Sequence, residues 1–179
     1  MIYVSNIQTV APKTFKTDLQ EKVYSALSSL NIPFERVDTD EVITMEDCAV
    51  INQKLDMKMV KTLFLCNNQK TDFYLFITVG NKPFRAKDFS TALNVSRPSF
   101  APSELMQSML GTKIGAATIF SALLPTAKHV KIVIDKEVAA EEYYGCSDGT
   151  TTGYMKIKTD DIIHKVLAFA KHDYCIITV

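Results

Sequence analysis

An α+β (mixed α/β) fold, with a central mixed, mostly antiparallel sheet wrapped by helices, follows from three features of the sequence. Amphipathic segments of helical period alternate with short β-branched and aromatic runs along the chain. Two of these runs, Val60 to Cys66 and Phe73 to Val79, are separated only by the polar stretch Asn67-Asn68-Gln69-Lys70-Thr71-Asp72, the pattern of a hairpin. The remaining elements interleave too irregularly for a repeating parallel βαβ array. No linker-like stretch, internal repeat or low-complexity tract divides the chain, so residues 1–179 are read as a single domain.

The first element is an amphipathic helix from Thr17 to Leu30. Leu19, Val23, Ala26, Leu27 and Leu30 recur at helical spacing, Thr17 is placed to cap the N-terminus and Asp18 suits the first turn. Asn31-Ile32-Pro33 ends it, a strand follows over Phe34 to Val37, and the acidic turn Asp38-Thr39-Asp40-Glu41 closes that strand. A shorter helix is expected to begin near Thr44, with Glu46 and Asp47 in its first turn. After the hairpin, Lys87 to Leu93 and Ser103 to Leu110 read as short helices, the second capped by Ser103 and stopped by Gly111. Ala116 to Leu124 is apolar and β-branched, and periodicity alone does not separate helix from strand there. Val130, Ile132 and Ile134 alternate through a clear strand. Tyr143 to Lys158 is read as a glycine- and threonine-rich loop running into the strand Tyr154 to Lys158. A last helix over Thr159 to Ala170 and a terminal strand over Tyr174 to Val179 complete the chain.

Composition narrows the function. The 20 basic and 20 acidic residues cancel, so the chain has no global positive field for a phosphate backbone, and any nucleic-acid contact must be local; no DNA partner is expected. The N-terminus lacks a basic, then apolar, secretion signal and no run is long enough to span a membrane, which points to a cytoplasmic protein without a membrane partner. Cys48, Cys66, Cys146 and Cys175 are far apart and fit no zinc-ligand spacing; they are read as reduced thiols. No metal site and no cofactor is expected. Nucleotide-binding glycine loops, the H-E-x-x-H zinc motif and the G-x-S-x-G nucleophile motif are all absent. The three histidines, His129, His164 and His172, are scattered.

Two segments carry unusual polar chemistry. Lys61-Thr62 opens an apolar strand, where a lysine serves either as a protective edge charge or as a functional cation. Gly145-Cys146-Ser147-Asp148-Gly149-Thr150-Thr151-Thr152-Gly153 crowds hydroxyls and a carboxylate between three glycines. An Asp-Gly hairpin turn would explain part of this segment, but such a turn rarely needs three consecutive threonines.

These segments, with Met45-Glu46-Asp47-Cys48, Lys61-Thr62-Leu63-Phe64-Leu65-Cys66, Thr71-Asp72-Phe73-Tyr74-Leu75, Lys82-Pro83-Phe84-Arg85-Ala86-Lys87-Asp88, Ser96-Arg97-Pro98-Ser99-Phe100-Ala101 and Gly115-Ala116-Ala117-Thr118, resemble the YbaK-like, or prolyl-tRNA synthetase-associated, editing domains in order and spacing. The resemblance implies a mixed sheet wrapped by helices around a pocket. It also implies a trans-acting, metal-independent deacylase that hydrolyses a small amino acid, such as alanine or serine, from a mischarged tRNA, the proline tRNA foremost. The partners it implies are the aminoacyl-tRNA acceptor end and prolyl-tRNA synthetase. Lys61 matches the family's characteristic functional lysine and Gly115 its glycine loop; these two carry the catalytic roles. Thr62, Ala116, Ser147, Asp148, Gly149, Thr150, Thr151 and Thr152 are the residues this likeness assigns to substrate binding.

The chain also departs from the family. Where many relatives carry His-Pro followed shortly by Asn-Thr, it reads Ser147-Asp148-Gly149-Thr150-Thr151-Thr152, and Thr62 stands where an asparagine commonly follows the lysine. Either the pocket takes a different amino acid or the activity is lost, which leaves a non-catalytic aminoacyl-tRNA or amino-acid binding module as the alternative. With no nucleophile–base pair in view, the resemblance implies a substrate-assisted route. A terminal ribose hydroxyl would position water, backbone N–H groups near Gly115 would face the carbonyl, and Lys61 would hold the 3′ end. A thiol mechanism through Cys146 lacks an adjacent base.

Overall fold

A computed structural model describes residues 1–42 and 44–179. Its eight strands are β1 (Phe34–Asp38), β2 (Val60–Cys66), β3 (Phe73–Val79), β4 (Ser99–Phe100), β5 (Lys131–Asp135), β6 (Tyr143–Ser147), β7 (Gly153–Lys158) and β8 (Tyr174–Ile177). The architecture is the mixed, mostly antiparallel one expected, with one difference. Hydrogen bonding divides it into a three-stranded sheet, β1-β7-β6, and a five-stranded sheet, β4-β2-β3-β5-β8, instead of one continuous sheet. A lone parallel bridge from Met59 to Gly145 joins the two. All pairs are antiparallel except β3 with β5 and β5 with β8.

The hairpin of β2 and β3 is aligned from Val60 opposite Val79 to Cys66 opposite Phe73. Strand β5 lies between two parallel neighbours, which explains why Ile132 through Asp135 are buried without regard to alternation. Helix α1 (Asp18–Ser29) is capped by the Thr17 side chain, which accepts from the Gln20 N–H. It buries Leu19, Val23, Ala26 and Leu27, and also Gln20 and Tyr24, two polar residues absent from the apolar pattern.

Helix α2 (Ala49–Leu55) begins later than Thr44. The Thr44 hydroxyl instead closes a preceding turn, accepting from the Asp47 N–H and donating to the Asp47 carboxylate. Helix α3 (Ala86–Leu93) is as expected. Ser103 is not a cap: Pro102 holds that position, and α4 (Ser103–Leu105) runs into a π-helical turn, Met106–Leu110, that ends at Gly111. The ambiguous apolar segment resolves as a 3₁₀ helix, Ile119–Leu123, capped by Thr118. Tyr143–Ser147 is a strand and not a loop. After the short α5 (Lys136–Ala139), the last helical stretch comprises α6 (Thr159–Asp161), a π turn Ile162–Val166 and α7 (Leu167–Phe169).

Among the described residues no helix is long and apolar enough to cross a membrane. The largest apolar cluster packs α1, the 3₁₀ helix and the last helical stretch against one face of β2, β3 and β5. A second cluster fills the opposite face around Leu65, Tyr74, Phe76 and Phe89. Lys61 and Leu63 belong to that second face and Thr62 and Phe64 to the first, because successive strand residues point to opposite sides.

Candidate active site

The site originates in an interruption of the sheet. Strand β2 is paired with β3 along its whole length, but among the described residues its other edge is covered only at its ends. At one end Met59 bridges Gly145; at the other Leu65 and Cys66 pair with β4, and the Ala101 N–H donates to the Phe64 carbonyl at 2.9 Å. Between them, Val60 to Leu63 border a cavity of about 360 Å³. Main-chain groups alternate in direction along an antiparallel strand, so the N–H and C=O of Thr62 face the same way as those of Phe64, into this gap. The walls come from Met45, Met59, Met106, Ile114, Gly115 and Tyr154 among others, and are mainly apolar.

Lys61 and Thr62 border the cavity from β2, and Gly115 and Ser147 from across it. Gly115 sits on the loop between the π turn and the 3₁₀ helix with φ 86°, a left-handed conformation open to glycine at little cost. That loop is held at two points: the Thr118 hydroxyl donates to the Ser147 carbonyl at 3.0 Å, and the Ser121 hydroxyl donates to the Leu110 carbonyl at 2.7 Å. The Lys61 ammonium donates to the main-chain carbonyl of Lys82. It has no carboxylate partner among the described residues. Partial burial lowers its pKa from the ordinary lysine value. The carboxylate on this face, Asp135, is engaged elsewhere: Lys82 pairs with it at 2.7 Å and Thr78, opposite Lys61 in the hairpin, donates to it at 2.7 Å.

The other residues assigned to substrate binding lie away from this cavity. Asp148 is buried and accepts from the Gln20 amide, the Tyr24 hydroxyl and both the N–H and hydroxyl of Thr150. It is the reason α1 buries two polar side chains. Burial, then the Asp148 charge, push the Tyr24 phenol far above its usual value, so it stays a donor. Gly153 makes room for this carboxylate, because a Cβ there would lie 2.2 Å from Asp148 Oδ2. Gly149, Thr150, Thr151 and Thr152 line a separate cleft with Lys16 and Lys113, and Ala116 turns toward that side as well. The Thr151 hydroxyl donates to Glu41 at 3.1 Å and the Thr152 hydroxyl accepts from Lys16 at 2.6 Å. Ser147 borders the cavity, yet its hydroxyl is engaged within the turn, donating to the Thr150 carbonyl and accepting from the Gly149 N–H.

Cys146 also lines the cavity, but burial and the nearby Asp148 charge raise its thiol pKa well above the ordinary value. Cys48, at the other side, is pushed up to about 11, chiefly by burial. None of the three histidines lines the cavity; His129 and His172 border a cleft beside β8. Among the described residues no group of three or more His, Cys, Asp or Glu is arranged to hold a metal ion. The sequence reading missed Tyr144, on the same face as Thr62, whose buried hydroxyl has no hydrogen-bond partner among the described residues. Assigning Tyr143 to Ser147 to a loop concealed it: a strand would have sent Tyr144 and Cys146 to the same face.

A two-sheet α+β protein with a lysine beside a recess in a strand edge is the class that fold and site define. The profile of the aminoacyl-tRNA editing domain family matches residues 39–165, and the chain belongs to that family. It is 22% identical over 145 residues to the prolyl-tRNA editing protein ProX of Acetoanaerobium sticklandii, covering 81% of this chain and 88% of the relative. It is 24% identical over 148 residues to the prolyl-tRNA synthetase associated domain-containing protein 1 of Danio rerio, covering 82% and 80%. A crystal structure described as a candidate trans-editing enzyme for prolyl tRNA synthetase superposes with a TM-score of 0.63 at 13% identity, over 92% of this chain and 99% of the other.

Proposed function

We propose that this protein is a trans-acting, metal-independent deacylase of mischarged tRNA, built as one editing domain over residues 1–179. The ester it cleaves joins a small amino acid, alanine or serine, to the proline tRNA, and prolyl-tRNA synthetase is the enzyme whose errors it corrects. The observation that carries this reading is Lys61, which borders a cavity of about 360 Å³ and whose ammonium is partly desolvated and has no carboxylate partner among the described residues. A cation in that state is free to take a phosphate or ribose oxygen of the tRNA end. The names of the relatives support the choice of tRNA and synthetase.

The chemistry asked of the protein is modest. Water adds to the acyl carbon, the bond from that carbon to the ribose oxygen breaks, and the proton lost by water ends on the ribose oxygen, releasing the amino acid and the tRNA. A vicinal ribose hydroxyl orients the water. Gly115 and Thr62 border the cavity from opposite walls, and their main-chain N–H groups would donate to the developing oxyanion. Lys61 fixes the ribose so that water meets the carbonyl, and such positioning can supply much of the barrier reduction. Apolar walls limit the side chain admitted.

The test is single-turnover hydrolysis of a panel of aminoacyl-tRNAs at enzyme excess, with and without chelator. Release of alanine or serine from proline tRNA, unaffected by chelator and abolished in Lys61→Met, is the expected result. Binding of those tRNAs without release of any amino acid would replace the deacylase with the binding module that the substituted His and Asn positions suggest.

A further inference from the structure

The hydroxyls around the cavity are unequal. Thr44 is engaged with Asp47, Tyr154 donates to the Val42 carbonyl, Ser147 is used within its turn, and Ser103 is on the exposed rim. Thr62 remains: it lines the cavity at mid-strand, half-buried, with no backbone or carboxylate partner for its hydroxyl among the described residues. On the same face as Thr62, in β6 beside the Met59–Gly145 bridge, lies Tyr144, 1% exposed, whose hydroxyl is one of three buried side-chain oxygen or nitrogen atoms left without a partner among the described residues. Burial raises the Tyr144 pKa well above the ordinary tyrosine value and the Thr62 side chain opposes the rise, so the phenol stays protonated and the two hydroxyls stand against one another.

An unsatisfied buried hydroxyl costs stability, about 1–3 kcal/mol. Paired with a threonine on a cavity wall that is otherwise mainly apolar, it forms an incomplete hydrogen-bonded chain. A small shift would let the Tyr144 O–H donate to the Thr62 oxygen, which leaves the Thr62 O–H to donate to a ligand in the cavity. A ligand that brings a hydroxyl to that point completes the chain.

We propose that Thr62, oriented by Tyr144, recognises a hydroxyl on the side chain of the bound amino acid, so that the site selects seryl over alanyl esters. This inference rests on the deacylase reading and names its substrate class. Thr62 is the residue that touches substrate, and Tyr144 is a positioning residue that acts through it. Apolar pockets distinguish a hydroxyl from its absence poorly, whereas sites built to hydrogen-bond one reject the analogue lacking it strongly.

The experiment measures kcat/KM for serine and alanine on the same proline tRNA, with wild type, Thr62→Val and Tyr144→Phe. Thr62→Val preserves shape and β-branching, and Tyr144→Phe removes one buried oxygen. The expected result is a serine-to-alanine ratio of ~10 or more in wild type, falling at least ~10-fold in Thr62→Val and by a smaller factor in Tyr144→Phe. A general structural defect would lower both rates and leave the ratio unchanged. Equal ratios in all three active proteins would overturn the inference while leaving the deacylase reading intact. If wild type hydrolyses neither ester, the deacylase reading fails. Affinities for non-hydrolysable seryl- and alanyl-amide analogues of the terminal adenosine then decide: a seryl preference lost in Thr62→Val sustains the recognition role, and no preference ends it.

Discussion

The Lys61 ammonium is bound to the main-chain carbonyl of Lys82, while the Lys82 ammonium takes Asp135, so the two lysines on this face are in different electrostatic states. Lys82 is neutralised within the fold. Lys61 keeps an uncompensated charge, which is favourable for binding an anion and unfavourable for folding. Lys61→Met should therefore lower deacylation at least ~100-fold while the melting temperature stays constant or rises; each tenfold corresponds to about 1.4 kcal/mol of lost transition-state stabilisation. A melting temperature that falls in step with activity would make Lys61 a structural residue.

The same lysine fixes a pH dependence. Its folded-state pKa lies below the ordinary value, so it loses charge at a lower pH than a solvated lysine as pH rises. Productive tRNA binding, corrected for base hydrolysis of the ester, should decline on the alkaline side before the ordinary lysine range is reached. Stability should move the opposite way. The unfolded chain binds more protons between the two pKa values, so folding gains as pH rises through that window. A binding profile flat up to the range of a free lysine would contradict this.

Cys146 should be dispensable. Its raised pKa leaves little thiolate at neutral pH, and no histidine lines the cavity to activate it. Cys146→Ser should retain deacylation within about threefold, and brief iodoacetamide treatment should label the exposed Cys175 without inactivation. Loss of activity in folded Cys146→Ser, with a covalent acyl-enzyme trapped in wild type, would require a thiol mechanism.

Asp148 should behave as a structural residue. Removing its carboxylate leaves the Tyr24 hydroxyl and the Gln20 amide without their acceptor, so Asp148→Ala should cost about 3 kcal/mol or more. Thr150→Val and Thr152→Val should change kcat/KM little, because these hydroxyls face Asp148 and Lys16, away from the cavity. Denaturant titration and kinetics on the same preparations separate the two effects.

Binding of tRNA should weaken as salt rises, with a shallow slope. Charge over the whole chain is balanced, so only a few phosphates are neutralised. A steep dependence, of the kind many phosphate contacts give, would point to a much larger interface than the Lys61 margin.

The hairpin of β2 and β3 was legible to the residue, since two apolar runs bounded by polar turn residues leave little choice, and Thr17 was legible as a cap. Lys61 and Gly115 were legible through family likeness and do border one cavity. For the threonine turn, sequence lists the hydroxyls without their partners: Asp148, Glu41 and Lys16 occupy them, and two of these come from distant segments. Tyr144 was missed because Gly, Cys and Ser lower strand propensity in its neighbourhood. Gly145 is needed there for close approach, as a Cβ would lie 2.8 Å from the Lys58 carbonyl oxygen.

Among the described residues the recess along β2 is a gap in hydrogen bonding, not a hollow carved out of packed side chains. Enlarging Thr62, Met45 or Met106, or trimming them, alters the shape of an existing opening, whereas the same change at Leu65 or Ile77, both 0% exposed, would create or overfill a void in the interior. Two separate sets of residues therefore govern what is admitted and whether the chain folds. A recess arranged in this way can change what it admits by point substitution without prior stabilisation, and Lys61 on the β2–β3 hairpin is carried unchanged through each exchange.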